Sequence, residues 1–205
     1  MTMLEYDEST LKVGLEKLSP ERRMLFASLA ATRVAPAYSI FHSQSGQGDE
    51  SAYFEALQFL WSQLLIETVE EEKVEAYVQK VFSLIPAQGD TWVTWSAQAE
   101  DATTALVYAL GCLKTASVRE AAWAARRSYN TVDNIVVDDP SVQIGGAHEK
   151  QILSSPLIQA ELQQQVHDLQ MAETAELTDE SLKQLYGGAI QWGTVFYAKV
   201  LQERQ

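Results

Sequence analysis

Residues 98–115 read QAEDATTALVYALGCLKT, with apolar or small side chains almost all the way round a helix of that length. A helix that is apolar on every side is usually buried at the centre of a fold. On both sides of this stretch, apolar residues recur at three- and four-residue steps, and β-branched alternation is nearly absent. The sequence therefore predicts an all-α protein, a compact bundle of seven to eight helices, with residues 1–205 forming a single all-helical domain.

The first two helices are delimited by caps and a proline. The first helix is predicted from about Ser9 to Leu18, and Ser19-Pro20 starts the second as N-cap and first helical position. We expect the second helix to end at Pro36, because a proline pushes the residue before it out of the α region. A short turn through Tyr38 and Phe41 is expected to follow.

Two more helices precede the central one. Asp49 can cap the third, whose apolar stripe ends at Leu64, and the fourth is predicted from about Glu70 to Leu84. Pro86 and Gly89-Asp90 then break the chain. The central helix, about Gln98 to Thr115, begins after this break.

The chain after the central helix contains one long connection. Ser117 and Glu120 form a predicted capping box at the start of the sixth helix, in which each side chain accepts from the other residue's backbone N–H. Asp138 to Ser155 contains Asp-Asp-Pro, Gly-Gly and Ser-Ser-Pro, which predicts a mobile loop with at most one helical turn. Ser155-Pro156 begins the seventh helix.

The last helix is predicted from Thr178 to about Gln202 and has a heptad seam. The seam is formed by Leu182, Tyr186, Ala189, Gly193, Phe196 and Val200. Ala189 and Gly193 leave room for the close approach of another helix. We interpret the seam as buried within the monomer, and a homodimer through the last helix is the alternative.

The charge balance limits the partners of the protein. Lys and Arg total 15 against 28 Asp and Glu, a formal net charge of −13. A surface of this sign repels nucleic-acid phosphates and anionic membranes, so we predict neither as a partner. The first residues lack the basic and apolar regions of a secretory signal, and Cys112 is the only cysteine. We therefore expect an acidic, soluble, cytoplasmic protein in which Cys112 is a core residue.

Motifs for the commonest reaction classes are absent from the sequence. The three histidines, His42, His148 and His167, form no His-Glu-x-x-His motif, and none follows a Glu at the Glu-x-x-His spacing. There is no phosphate-binding Gly-x-x-x-x-Gly-Lys, no Gly-x-Ser-x-Gly and no Cys-x-x-Cys. The sequence therefore predicts no catalytic residue, no metal site and no cofactor, and leaves open whether the protein is an enzyme.

The most distinctive stretch begins at Arg33 and reads RVAPAYSIF, followed by the Gly-Gln-Gly-Asp turn that ends at Asp49 and by Trp61 twelve residues later. This arrangement resembles the signature of the bacterial domain-of-unknown-function 416 family, and Ile85-Pro86 and Asp101-Ala102 also match its pattern. The similarity is specific from about Phe26 to Leu113. It implies an all-helical, single-domain bacterial protein and no particular activity or catalytic residue.

The Gly46–Asp49 turn has two interpretations. In the first, Gly46 or Gly48 adopts a positive φ and Asp49 caps the next helix. In the second, the turn lines a small pocket together with Arg33, Tyr38 and His42. Because Asp49 and Glu50 already place two carboxylates at the helix N-terminus, such a pocket favours a cation or an amine over a phosphate.

Arg33 and Asp101 also have two interpretations each. Arg33 lies in the last turn of its predicted helix, where it can bond free carbonyls, or it pairs with a buried acid. Asp101, on the flank of the central helix, is the expected partner, either in a structural ion pair or as a functional acid. A polar seam of Arg126, Asn130 and Asp133 predicts a buried network on the sixth helix, or a cleft facing Asp101 or Arg33.

Two hypotheses for function follow from these observations. The preferred one is a non-enzymatic interaction or regulatory module that binds another protein through an acidic helical surface or through the last helix. The alternative is a small cationic or polar ligand, with or without catalysis, in a pocket between helices. The candidate ligand-binding residues are Arg33, Tyr38, His42, Gly46, Gly48, Asp49, Asp101 and Arg126.

Overall fold

The computed structural model of this chain describes residues 3–66, 68–86, 93–139 and 148–203. In those ranges the chain forms α-helices and no strand, which confirms the predicted all-α bundle. The helices are α1 (Glu8–Glu16), α2 (Pro20–Ser45), α3 (Glu50–Ser62), α4 (Glu71–Phe82), α5 (Ser96–Thr115), α6 (Val118–Val137), α7 (His148–Leu153), α8 (Pro156–Thr174) and α9 (Asp179–Glu203).

Helix α5 is the predicted central helix. It packs against α2, α3, α4 and α6, and its residues Ala102, Ala105, Leu106, Ala109 and Leu110 have no solvent exposure. The alanines keep the helix narrow enough for neighbours to approach closely, while the leucines fill the space between them. The composition of α5 therefore suits its place among four neighbouring helices.

Helix α2 is longer than predicted, because it continues through Pro36 to Ser45. The expected turn at Tyr38 and Phe41 is therefore wrong, and both residues are buried within α2. Every residue from Met24 to Tyr38 is buried, and α2 packs against α3, α5, α6, α8 and α9. Packing on that scale outweighs the roughly 3 kcal/mol that an internal proline costs a helix. The helix ends at Gly46, whose φ is 67° and whose N–H donates to the His42 carbonyl at 2.9 Å.

The membrane-spanning potential of the described residues is confined to α2. This helix is long and apolar enough to cross a bilayer by length and composition, but 89% of its most apolar window is buried inside the protein. The core helix of a globular protein meets the same criteria.

Helix α9 packs its heptad seam against α2, as the monomer interpretation predicted. Leu182, Ala189, Gly193, Phe196 and Val200 are buried. Gly193 lies against the backbone of α2, where an added Cβ would overlap the Arg33 carbonyl oxygen. The seam is thus occupied within the chain, and a homodimer through the last helix stays a prediction.

The predicted helix caps are confirmed in part. The Asp49 carboxylate accepts from Ala52 N at 2.9 Å and caps α3 as expected. At α6, Ser117 Oγ accepts from Arg119 N at 3.2 Å, but Ser117 N donates to Thr115 Oγ1 at 3.1 Å and not to Glu120. The reciprocal half of the capping box is therefore wrong, since Glu120 instead contacts the Thr115 hydroxyl. The predicted break at Gly89-Asp90 and residues 140–147 of the predicted 138–155 connection lie outside the described residues, and α7 occupies part of the rest of that connection.

Candidate functional site

The turn between α2 and α3 is held by its own hydrogen bonds. Gly46 and Gly48 have φ values of 67° and 75°, in the left-handed region that glycine favours. The Tyr38 hydroxyl accepts from Asp49 N at 3.1 Å, and a Cβ on Gly48 would overlap that hydroxyl. His42 Nδ1 lies 2.8 Å from the Gln47 carbonyl oxygen. This geometry confirms the structural interpretation of the glycines and of Asp49.

Arg33 forms a fully buried ion cluster with two acids on α8. Its Nε donates to Asp168 Oδ2 and its Nη1 to Glu161 Oε2, both at 2.6 Å. Nη1 also lies 3.4 Å from Ser128 Oγ on α6, and the guanidinium carbon lies 5.3 Å from the centre of the Trp192 ring. Among the described residues, Arg33 Nη2 has no hydrogen-bond partner. One side chain on α2 therefore connects α6, α8 and α9.

Glutamine side chains complete the polar environment of the two acids. Gln165 Nε2 donates to Glu161 Oε1 at 2.8 Å and to the Ala125 carbonyl at 3.0 Å, and Gln164 Nε2 donates to Asp168 Oδ1 at 3.0 Å. Burial by itself would lower the pKa of Arg33, but the carboxylates of Asp168 and Glu161 outweigh it and raise the pKa above its ordinary value. The guanidinium of Arg33 therefore stays protonated and positively charged.

The predicted environment of Arg33 is wrong in two respects. Arg33 is in the middle of α2 and not in its last turn, because the helix passes Pro36. Its partners are Glu161 and Asp168, and not Asp101. The sequence contains a signal for these partners, because Glu161, Gln165 and Asp168 are spaced i, i+4 and i+7 along one face of α8 that also contains the buried Ile158, Leu162 and Ala172.

Asp101 belongs to a separate cluster between α5 and α6. Its carboxylate accepts from Arg127 Nη1 at 2.9 Å and from Asn134 Nδ2 at 3.0 Å. Burial raises the pKa of Asp101 to about 6, and the hydrogen bond and charge of Arg127 oppose this increase. The expected cleft between Arg126 and Asp101 is wrong, because Arg126 is exposed and bonds to Glu8 at 3.2 Å. The residues that face α5 come one position later, at Arg127 and Asn134.

No group of three or more His, Cys, Asp or Glu side chains within the described ranges could hold a metal ion. Burial raises the pKa of the Cys112 thiol to about 12, which keeps it protonated and fits its predicted place in the core. A ligand-binding role for the eight candidate residues stays a prediction. The described residues form four cavities, and none of the eight candidates lines any of them.

The α3–α9 groove is a cavity of about 380 Å³ between the end of α3 and the start of α9. It is lined by Gln58, Trp61, Ser62, Leu65, Asp179, Leu182, Lys183 and Tyr186. Trp61 is fixed, because its Nε1 donates to Thr32 Oγ1 at 2.8 Å and its ring meets that of Tyr186 edge-on at 5.5 Å. The groove therefore has a preformed aromatic and aliphatic floor.

The adjoining depression extends this apolar surface toward α4. It is a cavity of about 560 Å³ that shares Leu65 with the groove. It is lined by Pro20, Glu21, Met24, Leu64, Leu65, Ile66, Thr68, Val69, Glu71, Leu113, Lys114, Thr115, Ala116 and Leu177. Leu65 and Ile66 are 39% and 49% exposed, so two large aliphatic side chains face solvent where the cavities meet. Neither cavity was predicted from the sequence.

Two further cavities lie beside α7. One, of about 600 Å³, is lined in part by Tyr6 and Tyr129, whose rings stack with centroids 4.8 Å apart. The other, of about 280 Å³, lies where α7 meets α8. Both have more polar linings than the α3–α9 groove, which is thus the apolar cavity most typical of a binding site.

Comparisons with known proteins place this architecture in a family. A solved structure of a DUF416 family protein from Shewanella baltica OS155 has the same fold, with a TM-score of 0.77 and 22% sequence identity over 88% of this chain and 93% of that one. No curated protein matches this chain. The family model described as "Protein of unknown function (DUF416)" matches residues 10–194. The chain therefore belongs to the DUF416 family, as the motifs between Arg33 and Trp61 indicated.

Proposed function

We propose that this protein is a non-enzymatic interaction module that binds a segment of another protein in the α3–α9 groove and the adjoining depression. The observation that supports this most directly is the exposure of Leu65 and Ile66 where the apolar α3–α9 groove meets the adjoining depression, whose lining is both apolar and polar. Exposed apolar surface of this kind costs solubility and is typical of interaction sites. We propose that the protein meets its partner in the bacterial cytoplasm.

The rigidity of the groove supports recognition of a partner. Trp61 is anchored to Thr32 in α2, and Leu182 is buried in the seam of α9. These two side chains are therefore in place before a partner arrives, which lowers the entropy cost of binding. Aromatic anchors of this type supply much of the binding energy in protein interfaces.

The alternative hypothesis, a small-ligand pocket at Arg33, Asp49 and Asp101, has less support. Arg33 and Asp101 belong to separate clusters, and both are paired with other side chains. Asp49 caps α3 and lines neither the groove nor the adjoining depression. Each residue already has a structural role that accounts for its place.

A pair of matched variants tests the proposed function. Leu65→Glu places a charge where the two cavities meet, whereas Val195→Glu places the same charge on α9 at a residue that is 63% exposed and lines none of the four cavities. Both sites are exposed, so both variants should fold. The tagged proteins are used for affinity capture from cells that express the chain, with an amine-reactive cross-linker.

We expect at least one protein to be captured by wild type and by Val195→Glu but not by Leu65→Glu. Its cross-links should reach Lys183 or Lys114, which line the two cavities, in preference to the exposed Lys199. If no captured protein depends on Leu65, or if cross-links are spread evenly over the lysines, the groove is not the interaction site.

A further inference from the structure

The charge around the apolar floor identifies the kind of segment that the groove accepts, an inference that rests on the proposed function. We infer that the partner contributes an amphipathic segment whose apolar side chains fill the α3–α9 groove and whose flanking Lys or Arg side chains meet the acidic rim.

The floor selects apolar side chains of a partner. The lining of the groove is mainly apolar and includes Trp61, Leu65, Leu182 and Tyr186, together with the polar residues Gln58, Ser62, Asp179 and Lys183. An amphipathic helix that lays its apolar face in such a groove makes contact through side chains one turn apart. The adjoining depression extends the apolar surface past Leu65, which suits a segment longer than one turn.

The rim of the two cavities is acidic. Among the described residues, three exposed carboxylates line the cavities, Glu21, Glu71 and Asp179, and four more exposed carboxylates are adjacent in sequence to lining residues: Glu70, Glu72, Glu176 and Glu180. Four cations have equivalent positions, namely Lys114, Lys183, Arg22 and Arg23. Lys114 is paired with Glu75 at 3.0 Å, and both arginines donate to backbone carbonyls, whereas Lys183 lines the groove. Among the carboxylates, Glu70 is paired with Lys73 at 2.7 Å.

The negative charge of the rim indicates which kind of partner can occupy the groove. A basic segment is attracted to the rim and is steered toward it, with the attraction weakening as salt is added. A second copy of this chain, with a net charge of −13, is repelled over the whole approach. An anionic membrane is repelled for the same reason. The observations therefore favour a basic amphipathic segment of a different protein.

Three labelled synthetic peptides test the inference. They share one amphipathic pattern of leucines and a tryptophan, and their polar positions are lysine in the first, glutamine in the second and glutamate in the third. Binding is measured by fluorescence anisotropy with the full chain, at low and at raised salt. Leu65→Glu and Val195→Glu serve as the matched pair, because both add one negative charge and only the first alters the floor.

We expect the lysine peptide to bind at least about tenfold more tightly than the glutamine peptide at low salt, and the glutamate peptide to bind most weakly. Raised salt should reduce the preference for the lysine peptide over the glutamine peptide. The double variant Glu71→Gln, Asp179→Asn should bind the lysine peptide several-fold more weakly than wild type does. Its affinity for the glutamine peptide should be unchanged. The control double variant Glu5→Gln, Glu173→Gln, at exposed acids away from both cavities, should change neither.

The contrary outcomes separate this inference from the proposed function. If the lysine and glutamine peptides bind equally and both depend on Leu65, the groove binds apolar segments but the rim does not select basic ones. If no peptide depends on Leu65, the proposed function itself fails. If sedimentation shows a wild-type dimer that Leu65→Glu dissociates, a second copy occupies the groove and the inference is overturned.

Discussion

The guanidinium of Arg33 is enclosed among two carboxylates, a serine hydroxyl and an indole, with no solvent contact. Removing two carboxylates from water is costly, and the cost is recovered only while the cation that faces them is in place. The cluster therefore stabilises one arrangement of α2, α6 and α8 and penalises every arrangement that separates them. Its role is positional, since none of the four cavities is lined by its residues.

Arg33→Met should destabilise the protein by about 3–5 kcal/mol, because Glu161 and Asp168 would remain buried without a cation. Arg126→Ala, which removes a 55% exposed arginine paired with Glu8, should cost less than about 1 kcal/mol. Urea unfolding measures both. The triple variant Arg33→Met, Glu161→Gln, Asp168→Asn should recover much of the loss, and equal losses for the single and triple variants would contradict the electrostatic account.

The carboxyl of Asp101 makes stability depend on pH with a sign opposite to that of most acids. Burial raises its pKa from 3.8 to about 6, so between these values the folded protein binds the proton more tightly than the unfolded chain. The contribution of Asp101 to the free energy of unfolding therefore falls as pH rises through this window. At 1.36 kcal/mol per unit the decrease is at most about 3 kcal/mol.

Asp101→Asn removes this dependence. The stability of wild type relative to the variant should fall between about pH 4 and about pH 7, as measured by urea unfolding. Asp7→Asn provides a control of opposite sign, because hydrogen bonds from Thr10 and Ser9 lower the pKa of Asp7 and its contribution is lost as pH falls. A carboxyl resonance of Asp101 that titrates near its ordinary value would contradict the assignment.

At the scale of residues, the sequence predicted local roles better than partners. The conformations of Gly46 and Gly48 and the cap at Asp49 depend on neighbours within a few residues, and they were predicted correctly. The partners of Arg33 are on α8, far away in the sequence, and choosing them required the packing of α8 on α2. Asp101 was predicted to be buried and to pair with Arg33, but its partners are Arg127 and Asn134 on α6.

At the scale of elements, packing overrides the local preference of α2. The rule that a helix stops before a proline failed at Pro36, since α5, α6, α8 and α9 surround that part of the helix. The backbone of α2 is also where α9 approaches most closely, at Gly193. The heptad spacing predicted the buried face of α9, whereas its partner helix became evident only in the structure.

Gly193→Ala should destabilise the protein by about 1–3 kcal/mol or more, because the new methyl group would meet the Arg33 carbonyl and Pro36 Cδ, neither of which can move without shifting a helix. Gly188→Ala, on the same helix with open space around it, should be neutral or stabilising by up to about 1 kcal/mol through helix propensity. Thermal unfolding compares the two. Equal effects would show that α9 has room to move away from α2.

At the scale of the whole molecule, the sequence established the helical class and the acidic charge but not the groove. Periodicity depends on each segment separately, and the all-α class that it predicted is confirmed. The groove requires Trp61 at the end of α3 and Tyr186 at the start of α9 to meet, and these residues are distant in sequence. No local sequence pattern specifies a contact between residues so far apart in the chain, so the groove is evident only in the structure.

The chain should unfold in one transition, because its last two helices pack back on its second. Helix α8 is ion-paired to α2 through Arg33, and α9 rests on α2 at Gly193. Tryptophans at residues 61, 95, 123 and 192 report on α3, α5, α6 and α9. In urea, tryptophan fluorescence and far-ultraviolet circular dichroism should therefore give coincident curves, and Arg33→Met should shift both by the same amount. Two separate transitions would mean that α8 and α9 form a unit independent of the rest, contrary to the single domain predicted for residues 1–205.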